Sequence, residues 1–265
     1  MTRPPAPLRL APLRLAPLRA LAQGASGLRQ QPGVQLGFSA AACGLHLLGW
    51  ALFGAAEGLA SGVLAALLHG VGALLYAASL VWLIEGLSRA GLALGAGRRL
   101  TAGSLYRWQG RSSRRVACGV INLLAALALA ALVSFVGWSL VVFLLPTLSL
   151  VPAALGLALC LAVVLSQLFN PCLVLERNLS PSQAFRWGVQ LLERHWLGQL
   201  GLLAVLAAIL VVPLLLGLLA EALLAGLGVV VTALTLVAAL PLLANSVTAA
   251  YLQLLPELRL SGSDR

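Results

Sequence analysis

The sequence contains no lysine, a single aspartate, one methionine and three histidines, and only 9% of its 265 residues are charged. A water-soluble domain with so few charges and 61% hydrophobic residues would expose large apolar patches, so the solvent must largely be lipid. The one aspartate, Asp264, lies among the final residues, which excludes an Asp-rich, metal-dependent phosphatidyltransferase site. His46, His69 and His195 are separated by span boundaries and have no partner at i, i+4, so there is no zinc motif. Cys43, Cys118, Cys160 and Cys172 show no metal-type spacing and lie in or beside apolar runs, as small packing residues do. No catalytic constellation, metal site or cofactor is expected.

What is present is a set of long apolar stretches. From Val34 to Ile84 the only full charge is Glu57, and fifty-odd residues are too many for one crossing, which needs about 20. The stretch is therefore a helical hairpin turning at Glu57, Gly58, Ser61 and Gly62. A second stretch, Val116 to Phe169, is broken by Pro146, Thr147, Ser149 and Pro152, which suit a tight exit from the bilayer. A third, Leu197 to Leu254, divides at Glu221, with Pro213 and Pro241 inside it as expected kinks. The expectation is an all-α, polytopic membrane protein with six transmembrane helices at about 35–55, 62–84, 117–142, 150–169, 197–219 and 223–253, within a membrane domain of residues 34–254. A basic arm (1–33) precedes it and a tail (255–265) follows.

All seventeen arginines fall before span one, between spans two and three, between spans four and five, or after span six. The opposite loops carry Glu57 and Glu221 and no cation. That asymmetry is the one the positive-inside rule attaches to an N-in, C-in protein. A basic cytoplasmic face attracts anionic headgroups by roughly 1 kcal/mol per cation. Nucleic acid is the weaker reading of the same charge, because these arginines flank apolar spans and form no soluble basic domain.

The arm repeats Ala-Pro-Leu-Arg-Leu from Ala6 onward. Proline at every fifth position opposes a stable helix, so residues 1–33 read as a disordered basic arm that grazes anionic lipid or has no role. Two cytoplasmic segments match each other: Thr101 to Trp108 aligns without gaps on Ser180 to Trp187, with hydroxyl, aromatic, Arg and Trp at common offsets. In the second, Ser180, Pro181 and Gln183 make a capping box with Pro at the first helical position. The helix that follows places Ala184, Gly188, Leu191 and His195, with Phe185, Val189, Leu192 and Trp196, on an apolar face and Ser182, Arg186, Gln190, Glu193 and Arg194 on a polar one. In the first, a helix would present Arg107, Arg111, Arg114 and Arg115 as one basic stripe, weakened by Gly110, Ser112 and Ser113. Both segments read as amphipathic cytoplasmic interfacial helices, with Arg186 and the stripe binding lipid headgroups and Trp108, Trp187 and Trp196 at the aromatic belt. Ordinary anchoring connectors and a duplicated span–helix–span module are both open at this point.

Inside the membrane, His46 and His69 fall near the middle of spans one and two, where polar groups must find partners. They could face each other in a proton- or ligand-linked role, or serve as interhelical glue. Gln167, Asn170, Asn245, Ser246 and Thr248 are polar residues near the cytoplasmic ends of spans four and six. Asn245 joins the histidines as a candidate intramembrane polar group.

The run Phe169-Asn170-Pro171-Cys172-Leu173-Val174-Leu175-Glu176, followed by Ser180-Pro181-Ser182-Gln183-Ala184, Leu191-Leu192 and Trp196, resembles the YciC-like bacterial integral membrane family. That family is related to the membrane domain fused to some glycerophosphoryl diester phosphodiesterases. Gly97 to Thr101 looks like its first cytoplasmic connector, and Tyr251 to Arg259 like its C-terminal ending, from which Pro256 and Glu257 depart. The resemblance implies a six-span fold in a bacterial cytoplasmic membrane and no established reaction, since the phosphodiesterase activity belongs to a separate soluble barrel. The leading expectation is a non-enzymatic protein whose basic face engages anionic lipid, or a protein partner or second copy, in envelope or lipid homeostasis. The alternative is a small-molecule transporter or permease subunit.

Overall fold

The computed structural model describes residues 15–58, 62–108, 110–144, 147 and 150–260, the side chains of 144 and 257–260 apart. Every element among them is a helix: α1 (Pro17–Gln30), α2 (Pro32–Glu57), α3 (Val63–Gly95), α4 (Ala102–Tyr106), α5 (Gly110–Leu144), α6 (Leu150–Gln167), α7 (Asn170–Arg177), α8 (Pro181–Leu223) and α9 (Leu227–Leu260). Six of these stretches are long and apolar enough to cross a membrane, α6 counted together with α7. The chain has the architecture of a multi-pass membrane protein.

The six form three antiparallel hairpins, α2/α3, α5/α6 and α8/α9, and α9 also lies against α1, α2 and α3. Where hairpin helices cross closely they do so at glycines. A Cβ on Gly49 would sit 2.9 Å from the Gly72 carbonyl oxygen, and one on Gly228 would sit 2.5 Å from that of Gly217. Small residues let the backbones approach and gain dispersion contact, since lipid supplies no hydrophobic drive between spans. The α8/α9 turn uses Gly226 at φ 82°, and Glu221 accepts hydrogen bonds from the Gly226 and Gly228 amides at 2.9 and 3.0 Å. Its carboxylate thus satisfies the orphan N–H groups at the start of α9.

The helices overrun the expected spans at one end. α3 has 33 residues, about 50 Å at a rise of ~1.5 Å per residue, against a hydrocarbon core of ~30 Å. Because the hairpins alternate in direction, the overrun and the described arginines fall at the same end of the bundle, here termed the arginine end. Pro152 lies in the first turn of α6, not in the preceding turn; positions 146, 149 and 61 lie outside the described residues. α9 continues through Pro256 to Leu260, into the segment assigned to the tail. The departure from helical angles within α8 falls at His195 (φ −131°, ψ 25°), not at Pro213.

Two expectations require correction. Residues 17–30 of the supposedly disordered arm form α1, while 1–14 lie outside the described residues. The proline repeat ends at Pro17, which occupies the first helical turn, where a missing N–H costs nothing. Beyond it Gly24 and Gly27 seat the helix against Ser246 and Asn245 of α9. Second, Arg107, Arg111, Arg114 and Arg115 do not share one interfacial helix. Arg107 is extended after α4, and the other three begin α5, which runs without interruption into the third span.

Candidate functional site

The tightest polar cluster is built around Glu85, in the last third of α3 and only 1% exposed. Its carboxylate pairs with Arg89 one turn on, accepts a hydrogen bond from Ser112 Oγ at 2.6 Å and another from Ser113 Oγ. Arg89 also donates to Ser112 Oγ and, at 3.2 Å, to the Arg107 carbonyl. A buried carboxylate is tolerable only when paired and hydrogen-bonded in this way. The cluster ties α3 to the start of α5 and to the intervening loop. Sequence reading passed over Glu85 because it directly follows an apolar run; the available signal was the Glu85/Arg89 pair at i, i+4 facing Ser112-Ser113.

That loop carries the cations. Just beyond α3, Gly97 turns the chain at a φ of 69° while the Gly97 and Arg98 amides bond back to the carbonyls of Leu94 and Ala93. This left-handed cap swings Arg98 and Arg99 off the helix axis. The Leu100 amide then donates to Gln31 Oε1 at 2.7 Å, and Leu105 is buried. Tyr106 packs edge-on against Phe38 and Trp82, with ring centroids 5.4 and 5.8 Å away. Pinned on both sides, the loop walls an open cleft of about 1130 Å³ lined by Arg89, Arg98, Arg99 and Arg107, with Thr101, Ser104 and Ser112 among them. Glu176 and Asn178 stand on the far wall, and Leu92, Leu252 and Leu255 supply apolar surface. With Arg89 committed to Glu85, three arginines face one acid among the described residues.

Of the headgroup residues expected from sequence, only Arg107 lines this cleft. Arg111 and Arg114 are exposed outside it. Arg115 donates to the carbonyl and side-chain oxygens of Asn178 at 2.9 and 3.1 Å, and Asn178 is the residue at φ 53° that ends α7. Arg186 projects from the exposed face of α8, whose polar positions 182, 186, 190, 193 and 194 are all exposed; of the expected apolar face Ala184, Gly188 and Leu191 are buried, Phe185, Val189, Leu192 and His195 are half-buried, and Trp196 is exposed instead. Ser180 closes the expected capping box with Gln183. Trp108 and Trp196 are about half exposed, and the Arg177 guanidinium lies 5.6 Å from the Trp187 ring centre. Arg98 and Arg99, the cleft's other cations, read in the sequence only as part of a connector and not as headgroup ligands, because they fit no helical stripe.

The histidines do not face each other. The hairpin register sets His46 opposite Tyr76 and Ser79, with Nδ1 3.0 Å from Ser79 Oγ, and sets His69 opposite Phe53, with Nδ1 2.9 Å from its own helix's Ala65 carbonyl. His46 lines an apolar lateral crevice of about 930 Å³ between the α2/α3 and α8/α9 hairpins. Asn245 donates to Gln35 Oε1 at 2.7 Å, and Gln35 in turn to the Gly27 carbonyl at 3.2 Å, joining α9, α2 and α1. Gln167 and Asn170 bond at 2.7 Å where α6 passes into α7. Among the described residues no group of three His, Cys, Asp or Glu side chains is placed to hold a metal ion. No protein-family model, curated protein or solved structure matches the chain.

Proposed function

We propose that the protein is a non-enzymatic component of a bacterial cytoplasmic membrane, N-in and C-in, whose cytoplasmic rim holds an anionic lipid headgroup. The observation that carries this reading is the cleft: Arg98, Arg99 and Arg107 beside apolar Leu252 and Leu255 at the overrunning end of the helices. Guanidinium groups bind phosphate oxygens through paired donors, and the leucines match the start of an acyl chain. The clustering of arginines at one end supports the orientation through the positive-inside rule. The family resemblance of residues 169–196 accords with a six-span, non-catalytic role.

Neutralising the cleft in an Arg98→Gln/Arg99→Gln variant should weaken binding to anionic vesicles by roughly 3 kcal/mol or more, over about 100-fold, because each guanidinium loses a charge-assisted hydrogen bond to phosphate. An Arg111→Gln/Arg114→Gln variant, altered outside the cleft, should lose less, only the general attraction of a cation to an anionic surface. Equal losses in a sedimentation assay would reduce the cleft to general surface charge, and no loss in either would remove the lipid reading.

A second reading, a permease subunit, draws on His46 in the lateral crevice. Substrate flux in proteoliposomes that disappears in His46→Ala would favour it.

A further inference from the structure

Beside the basic cleft lies a second cavity of about 560 Å³ between α1, α3 and α9, and among the described residues its polar lining is uncharged: Gln23, Ser26, Gln30, Asn245 and Gln253. The two cavities share Gly95 and Leu252 as a common wall. Gly95 has no side chain there, and the Leu252 methyl group fills the space a Cβ would take. Leu252 and Gly95 therefore border both a guanidinium site and an amide site.

The amide site has an unmet requirement. Asn245 is 4% exposed; its Nδ2 is used by Gln35, whereas its Oδ1 has no hydrogen-bond partner among the described residues. A buried acceptor without a donor is costly and uncommon in a folded protein. Asn245 lines the cavity, and a small shift that brings Oδ1 to its surface would let a ligand hydroxyl satisfy it.

We propose that the two cavities form one site for an anionic phospholipid whose headgroup carries free hydroxyls beyond the phosphate, such as a glycerol or a cyclitol. This rests on the lipid reading above and names its substrate class. The phosphodiester sits among Arg98, Arg99 and Arg107, and the hydroxylated substituent passes Leu252 to meet Asn245 Oδ1 and the neighbouring amides. A headgroup ammonium is disfavoured by the three arginines next door, and a headgroup carboxylate gains nothing from uncharged amides.

The test is native mass spectrometry of the full chain in detergent at about pH 5, where phosphatidic acid, like phosphatidylglycerol, carries about one negative charge, with phosphatidylglycerol, phosphatidic acid and phosphatidylcholine of identical acyl chains. Wild type should retain phosphatidylglycerol over phosphatidic acid by about three- to tenfold, the worth of one or two net hydrogen bonds, and both over phosphatidylcholine. Asn245→Leu should erase the first preference while leaving the second. Ser26→Leu, which fills the amide cavity from an exposed position, should do the same without touching the Gln35 bond. Equal retention of phosphatidylglycerol and phosphatidic acid by wild type, with both lost in Arg98→Gln/Arg99→Gln, would overturn this inference and leave the lipid reading standing. No preference for either over phosphatidylcholine would overturn both.

Discussion

The two ends of this bundle are built on different principles. At the arginine end, buried side chains are packed from every long helix, and many are polar: Gln35, Glu85, Ser113, Gln167, Asn170, Asn245 and Thr248. At the far end most large apolar side chains are exposed, as are Leu64, Phe143, Leu150, Leu218 and Val229, and the hairpins meet mainly at glycine crossings. In a bilayer those side chains are solvated by acyl chains and need no protein neighbour. Fold specificity therefore resides where the helices leave the hydrocarbon, because directional hydrogen bonds and one buried ion pair select a single arrangement there. Close van der Waals contact is enough elsewhere.

This contrast can be broken from the arginine side first. Glu85→Ala leaves Arg89 and two serines without their common acceptor and should cost about 3 kcal/mol or more, measurable as a lowered midpoint in denaturant-induced unfolding in bicelles. If stability is unchanged, the polar cluster is not what holds that end together. The far end should respond less. Gly49→Val drives a side chain into the Gly72 backbone and should cost about 1–3 kcal/mol, with proteolytic protection of α5 to α9 retained because the damage stays within one hairpin. Collapse of the whole bundle would contradict the division. Smallest is Ser180→Ala, which removes the side-chain half of an exposed capping box and should cost about 1 kcal/mol, read as a small shift of the same midpoint.

Much of the far end is legible in sequence because it obeys one-dimensional rules: run length, turn residues and the side on which arginine falls. The six spans follow from these alone, and so does the exposed face of α8, since a capping box sets where the helical period begins. The arginine end is harder to read because its partners are distant in the chain. Glu85 meets Ser112 and Ser113, Gln35 meets Asn245, and Arg115 meets Asn178. The matched segments show how little separates success from failure. Ser180 is followed by Pro181 and Gln183, so its helix is capped and propagates. Thr101 is followed by Ala102 and Ser104, makes no side-chain cap bond, and supports only Ala102–Tyr106 before Arg107 turns extended. Reading Arg107 as helical misplaced the basic stripe and hid Arg98 and Arg99.

α1 is held almost entirely by α9 and α8: the Ala16 amide donates to Gln253 Oε1 at 3.0 Å, and Gln253 Nε2 to Gln23 Oε1 at 3.2 Å. Those contacts join residues synthesised more than two hundred positions apart. α1 leaves the ribosome first among the described helices, and most of its contacts can form only once the last span has been inserted. Assembly of the amide pocket is thereby placed after insertion of every other span, so a chain stalled before α9 would be in the membrane yet lack this pocket.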